Sequence, residues 1–218
     1  MNWLCGPEHS EDDAGARARR EFVADSFLGL AFDVCIAHGR CFGVRGATGG
    51  FDAATLCMPP GAVRGGVVLP WWRLLHLMAR VGLPPTMRGE HAAAFGDSAH
   101  RLELADPLMV YGHKKYAPGP HWYVQVLGTR PGVQSRGLGA ALLAAVAGMA
   151  AAQRVPVYLE CAGEFNLSYY SRRGFTLMEA LVVADERAAK RGTKWHVKGY
   201  AMLMAPPAPE ADASRKAA

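Results

Sequence analysis

The sequence predicts an α/β fold, one sheet with helices packed on it, and three observations carry that expectation. Half of the 218 residues are apolar, which supplies a buried core and excludes a disordered or collagen-like chain. Residues 41–58 read as two strand-like runs, CFGVRG and FDAATLCM, around ATGG, whose glycines can take the positive φ of a hairpin turn. From residue 121 the pattern turns into strand, helix, strand: HWYVQVLG, then 137–154, then VPVYLE.

The elements follow in order. Ser10 before Glu11, Asp12 and Asp13 reads as an N-cap with an acidic first turn. Behind it Phe22, Val23, Phe27, Leu30, Val34 and Ile36 recur at mostly helical spacing, so a long helix is expected to end near Gly39. After the hairpin and its Pro59-Pro60-Gly61 stop come a loop over 61–70 and a short helix over 71–81. A further helix is expected over Glu90–Tyr111, interrupted near Pro107, because proline removes a helical donor. Beyond VPVYLE, a short helix is expected over Asn166–Arg173, then strands near Phe175–Val183 and Trp195–Leu203. The tail APPAPEADASRKAA has nothing to bury and is expected to be disordered.

Charge and cysteine usage narrow the chemistry. Lys and Arg number 24 against 19 Asp and Glu, a net +5 that suits a phosphate-bearing ligand but leaves no dense basic stripe for nucleic acid. The nearest cluster, Arg187, Lys190, Arg191, Lys194 and Lys198, reads as a solvated hairpin. Five cysteines with no CxxC spacing encode neither a disulfide framework nor a zinc site, so no metal is expected. The amino terminus has no apolar signal core. The uncharged stretch Gly137–Gln153 falls short of the ~20 residues that span a bilayer. A cytoplasmic protein without membrane contact is the expectation.

The chemistry concentrates in VLGTRPGVQSRGLGAALL, residues 126–143. A strand ends, a loop with Pro131 and Gly132 follows, and Gln134-Ser-Arg-Gly137-Leu-Gly139 opens a helix. The first helical turn leaves amides unpaired at the positive end of the dipole and attracts phosphate oxygens. Gly137 and Gly139 let an anion approach the main chain, and Arg136 adds a counter-charge. Gly137-x-Gly139 with Glu160 further on imitates a dinucleotide fingerprint. Leu142 in place of the third glycine, the long loop before Gly137 and the absence of a leading βαβ unit count against it.

Gln134, Gly137 and Gly139 in the spacing Q-x-x-G-x-G resemble motif A of the GNAT superfamily of acetyl-CoA-dependent N-acyltransferases. Residues 155–175, VPVYLECAGEFNLSYYSRRGF, are similar to that family's fifth strand and its Asn-x-x-x-Tyr-x-x-x-Gly-Phe segment, here Asn166, Tyr170, Gly174 and Phe175. The run YLE...NLSYYSRRGF is similar to the branch containing puromycin N-acetyltransferase. The resemblance is strongest over 121–176 and weakest over 61–120.

The resemblance implies a central mixed, mostly antiparallel, twisted sheet flanked by helices. It implies one acyltransferase domain over 1–204, with 61–120 a variable acceptor-side region and 205–218 a tail. Family members begin with a strand and helix ahead of the long first helix, and here both are expected to be missing. The activity implied is direct transfer of acetyl from acetyl-CoA, without a metal, to a primary amine within a ternary complex. The acceptor would be a small molecule or a protein or peptide amine. A non-catalytic acyl-CoA-binding module of the same fold is the alternative.

Residue by residue, the main chain of Val126, Leu127, Gly128 and Thr129 matches the bulged strand segment that pairs with pantetheine, and an amide near Leu127 would face the thioester oxygen. Gln134, Ser135, Arg136, Gly137, Leu138, Gly139 and Ala140 match the pyrophosphate loop. Asn166 matches the residue that bonds pantetheine or orders the short helix, and equally fits a plain N-cap. Tyr170 matches the tyrosine that protonates the departing thiolate, and Tyr169 beside it would point elsewhere. Glu160 is the candidate base, with pairing to an arginine or to the acceptor ammonium as alternatives, and His121 and His113 are runners-up.

Overall fold

The computed structural model describes residues 21, 28–29, 31–47, 49–62, 90–184, 186, 190 and 196–207; the side chains of 90–99, 102–103, 106 and 197 are outside the description. The expected helix over 71–81, the start of the first helix and the tail from 208 lie outside these residues. A helix α1 covers 31–38. Then come β1 (Arg40–Arg45), β2 (Phe51–Met58), α2 (Glu90–Tyr116), β3 (Trp122–Thr129) and α3 (Leu138–Ala152). The chain continues through β4 (Val157–Ala162), α4 (Glu164–Ser171), β5 (Thr176–Ala184) and β6 (His196–Met204).

The strands form one sheet in the order β1-β2-β3-β4-β6-β5. Neighbours are antiparallel except β3 and β4, which run parallel with α3 as their crossover. The sheet is thus mixed and mostly antiparallel, as expected, with helices on both faces. β1 is its outer strand among the described residues, and the expectation of a missing first strand and helix falls before residue 21, outside them.

Alternation along the strands sends side chains to two different cores. On one face Trp122 and Val124 of β3, Val157 and Leu159 of β4 and Met202 of β6 meet Leu143, Val146 and Ala150 of α3. The Trp122 indole donates to Gln153 Oε1 at 3.0 Å, fixing the start of β3 to the end of α3. On the other face Ala31, Val34 and Cys35 of α1 cover Leu56 and Met58, while Leu108, Tyr116 and Ala117 pack on Tyr158, Leu181 and Ala201.

Two expectations need correction. The helix expected to break near Pro107 runs through it as one helix of 27 residues. Leu104 and Ala105 before the proline and Leu108 and Met109 after it pack together with Val183, and this burial on both sides offsets the lost donor. The short helix starts at Glu164 behind Gly163, not at Asn166, because Gly163 at φ 84° turns the chain sharply off β4.

β3 and β4 pair only at Trp122↔Val157 and Tyr123↔Tyr158. Beyond these two pairs they part, so the β4-facing edge of β3 from Val124 onward has no strand partner. On its other edge β3 pairs with β2 through a bulge: Leu56 faces Val126 and Cys57 faces Val124, which leaves Gln125 as the extra residue. The bulge therefore sits one residue ahead of the Val126–Thr129 segment to which the sequence assigned it.

Candidate active site

The cleft between the parted strands has the start of α3 at its mouth. Residues 134–137 are exposed, and Ser135 and Gly137 both lie in the left-handed region, at φ 62° and 79°. A side-chain-bearing residue held left-handed is the kind of strain that concentrates at ligand loops. Gly137 caps α3 without a side-chain hydrogen bond, and the first turn carries no acid. The first loop-to-helix bond is Ala141 N–H to Gly137 O at 2.9 Å. The amides of Leu138, Gly139 and Ala140 therefore have no carbonyl acceptor among the described residues. Gln134 donates to Thr129 O at 3.4 Å, tying the loop to β3.

Gly139 is buried against a specific neighbour, since a Cβ there would lie 2.8 Å from the Tyr169 hydroxyl. The Arg173 guanidinium stacks on the Tyr169 ring at 3.5 Å and donates to Tyr169 O at 2.7 Å. Tyr169 is thus part of the loop's wall, whereas the sequence placed it away from the site.

Two glycines give a stability test of this geometry. Gly137→Ala is expected to cost about 1–2 kcal/mol, purely from its left-handed backbone, because nothing lies near its Cβ position. Gly148→Ala, exposed within α3 and equally unobstructed, is expected to gain about 0.5–1 kcal/mol. Urea unfolding of the two variants measures the opposite signs.

Glu160 sits on the same face of β4 as Tyr158, opposite the α3 core. Burial pushes its carboxyl up to about 7, although the Tyr123 and Tyr158 phenols pull the other way. The approach is loose, for Glu160 Oε1 and the Tyr158 hydroxyl are both buried without a well-formed hydrogen bond. Both phenols are in turn pushed upward, chiefly by burial. No arginine contacts the carboxylate among the described residues, so the arginine-pair alternative for Glu160 finds no support there.

Tyr170 lies across the strand, in α4, against the α3-side core with Cys161. Its ring stands 5.2 Å from Tyr169 and 5.7 Å from Phe175, both edge-on. Burial pushes its phenol pKa upward. Asn166 does not cap α4; its Nδ2 donates to Ala162 O at 2.8 Å, holding the helix to the end of β4. The fold thus gathers the 126–129 edge, the 134–140 loop, Asn166 and Tyr170 around one cleft, with Glu160 on its other face. Sequence reasoning missed Tyr123 and Tyr158, whose alternation with core residues gives no local sign of a polar role.

Among the described residues no group of three His, Cys, Asp or Glu side chains could hold a metal ion. No described helix is long and apolar enough to cross a membrane.

The model of the acetyltransferase (GNAT) family matches residues 105–175, the segment from α2 through α4 that builds this cleft. Among solved structures, arylalkylamine N-acetyltransferase 2 from Aedes aegypti superposes with a TM-score of 0.54 at 12% identity, covering 83% of this chain and 79% of that one. A histone acetyltransferase HPA2 and related acetyltransferase from Corynebacterium glutamicum gives 0.49 at 18% identity, covering 86% and 78%. The matched segment and the six-stranded mixed sheet flanked by helices together support assignment of this chain to the GNAT acetyltransferase family.

Proposed function

We propose that the protein transfers an acetyl group from acetyl-CoA to a primary amine by direct attack in a ternary complex. The observation that carries this reading is the parting of β3 from β4 after Tyr123 and Tyr158, with Glu160 on one side of the cleft and Tyr170 on the other. Acetyl-CoA fits the residues present: unpartnered amides at 138–140, left-handed Ser135 and Gly137, and no Cβ at Gly137 or Gly139. When bound it supplies the acyl group as an activated thioester. The free edge of Val126–Thr129 would hold the pantetheine arm, with Asn166 at its side, and Gln134 through Ala140 the pyrophosphate.

The chain's own groups handle the protons. An alkylamine near pKa 10.4 arrives protonated, and Glu160, poised at about 7, takes that proton. Tyr170, held protonated by its burial, delivers one to the leaving sulfur. The run YLE...NLSYYSRRGF supports a place in the puromycin N-acetyltransferase-like branch, and a neighbour named for arylalkylamines supports small amines as the first acceptors to try.

The test is thiol release from acetyl-CoA by the full chain with a panel of arylalkylamines, polyamines, aminonucleosides, amino acids and a lysine peptide. Release with a primary amine, and none with its N-acetylated form, is expected. CoA binding with no release for any amine would favour the non-catalytic binding module instead.

A further inference from the structure

A polar cluster lies beside Glu160 that the reaction as written does not use. His113, on α2, and His121, just before β3, place their Nε2 atoms 2.7 Å apart. His121 Nδ1 lies 2.6 Å from Gly119 O, in a turn whose residues 118–120 are exposed. Because a carbonyl only accepts, His121 carries its proton on Nδ1 and presents a lone pair on Nε2. His113 must then donate from Nε2, which leaves the lone pair on its Nδ1. Burial and the neighbouring His121 push the His113 pKa down to about 4, so the pair rests neutral. The His113 ring packs 4.9 Å from Tyr123 and 5.1 Å from Tyr158, the two phenols that face Glu160.

We propose that Tyr158, His113 and His121 form a proton exit that carries the amine's proton from Glu160 to the surface turn at Gly119. Glu160 passes its acquired proton to the Tyr158 oxygen as that phenol gives its own to His113 Nδ1. His113 then releases its Nε2 proton to His121 Nε2, and His121 gives its Nδ1 proton to solvent. One proton enters at Glu160 and one leaves at His121; ring rotation restores the two tautomers. The other titratable groups packed on this line are Tyr123 of β3, Tyr116 of α2, which also bonds Glu179 of β5, and Cys35 of α1 against Tyr123. None supplies a fixed charge between Glu160 and His113 that would trap the proton.

The proposal rests on Glu160 being the base, and the experiment separates the two. The full chain, His113→Gln, His121→Gln and Glu160→Gln are compared for kcat against pH, amine KM, CoA affinity and response to imidazole in the buffer. Each histidine variant is expected to keep CoA affinity and amine KM, to lose kcat by ~10²-fold, the low end of general acid–base contributions, and to regain it with imidazole. Wild-type kcat in both histidine variants with an inactive Glu160→Gln would overturn the exit alone. An active Glu160→Gln would overturn the base beneath it. Loss in the histidine variants without imidazole rescue would make the pair a packing element and also overturn the exit. His121→Gln, nearer the surface, decides the matter if His113→Gln does not fold.

Discussion

Glu160→Gln is expected to lower turnover by ~10²- to 10⁴-fold, to leave CoA binding in place, and to make the folded chain more stable above pH 7. The amide keeps the shape of the side chain but cannot accept the amine's proton. CoA binding, read by calorimetry, depends on the 134–140 loop on the far side of the cleft. In the parent, kcat/KM should rise with pH through about 7, as the carboxyl ionises, and keep climbing as more of the amine loses its proton. Residual turnover in the variant should lack the first of these rises. Parent-like turnover in Glu160→Gln would remove the carboxylate from the mechanism.

The stability change follows from the same burial. The Glu160 pKa is raised from 4.5 to about 7, so the folded chain holds this proton where the unfolded chain has released it. The contribution is fully present below 4.5 and is lost as pH rises to about 7, at ~1.4 kcal/mol per unit, a total of about 3 kcal/mol. His113 acts in the opposite sense. Its pKa falls from 6.5 to about 4, so its contribution is present above 6.5 and is lost as pH falls toward 4. Between 4.5 and 6.5 the two slopes oppose one another in the parent. Glu160→Gln removes one of them, so its stability should climb with pH across that window. Above pH 7 it should exceed the parent by up to about 3 kcal/mol. Urea unfolding from pH 4 to 9 measures both features.

The anion loop was legible because its chemistry is local: Gln134, Gly137 and Gly139 reach their positions through a single strand-to-helix turn. The strands were legible within one or two residues for the same reason, since alternation is written along each of them. What depends on distant contacts was not. His113 and His121 are eight residues apart with a rigid Pro-Gly-Pro turn between them, and only that turn brings their rings together. Tyr158 looks like a core residue because it is one, wholly buried, and its polar role comes from the position of Glu160 two residues on. Asn166 has the composition of a cap, yet Gly163 provides the turn and leaves the asparagine to bond Ala162 O. Pro107 carries a local penalty that a single sequence displays plainly, while the packing on both sides of it appears only once α2 lies on the sheet.

Tyr170→Phe is expected to keep CoA affinity and lose turnover by ~10²-fold or more near neutral pH. The phenol's burial raises its pKa, which keeps the proton in place before reaction and makes the group a weaker acid in water's terms. A thiolate expelled into the same desolvated cleft is destabilised by the same lack of water, so its proton affinity rises alongside that of the phenol. The transfer therefore stays feasible inside the cleft even though neither partner keeps its solution pKa. This argument also fixes the pH dependence of the loss. A thiolate whose acid has a pKa near 8.5 in water needs protonation less as pH passes that value, so the penalty of Tyr170→Phe should shrink above about pH 9. Tyr169→Phe gives the contrast, since that hydroxyl abuts Gly139 and its ring carries Arg173. Its removal should appear in CoA affinity and leave the pH profile unshifted. Turnover unchanged in Tyr170→Phe would sink the general-acid role, and a loss confined to CoA affinity would reduce Tyr170 to packing against Phe175.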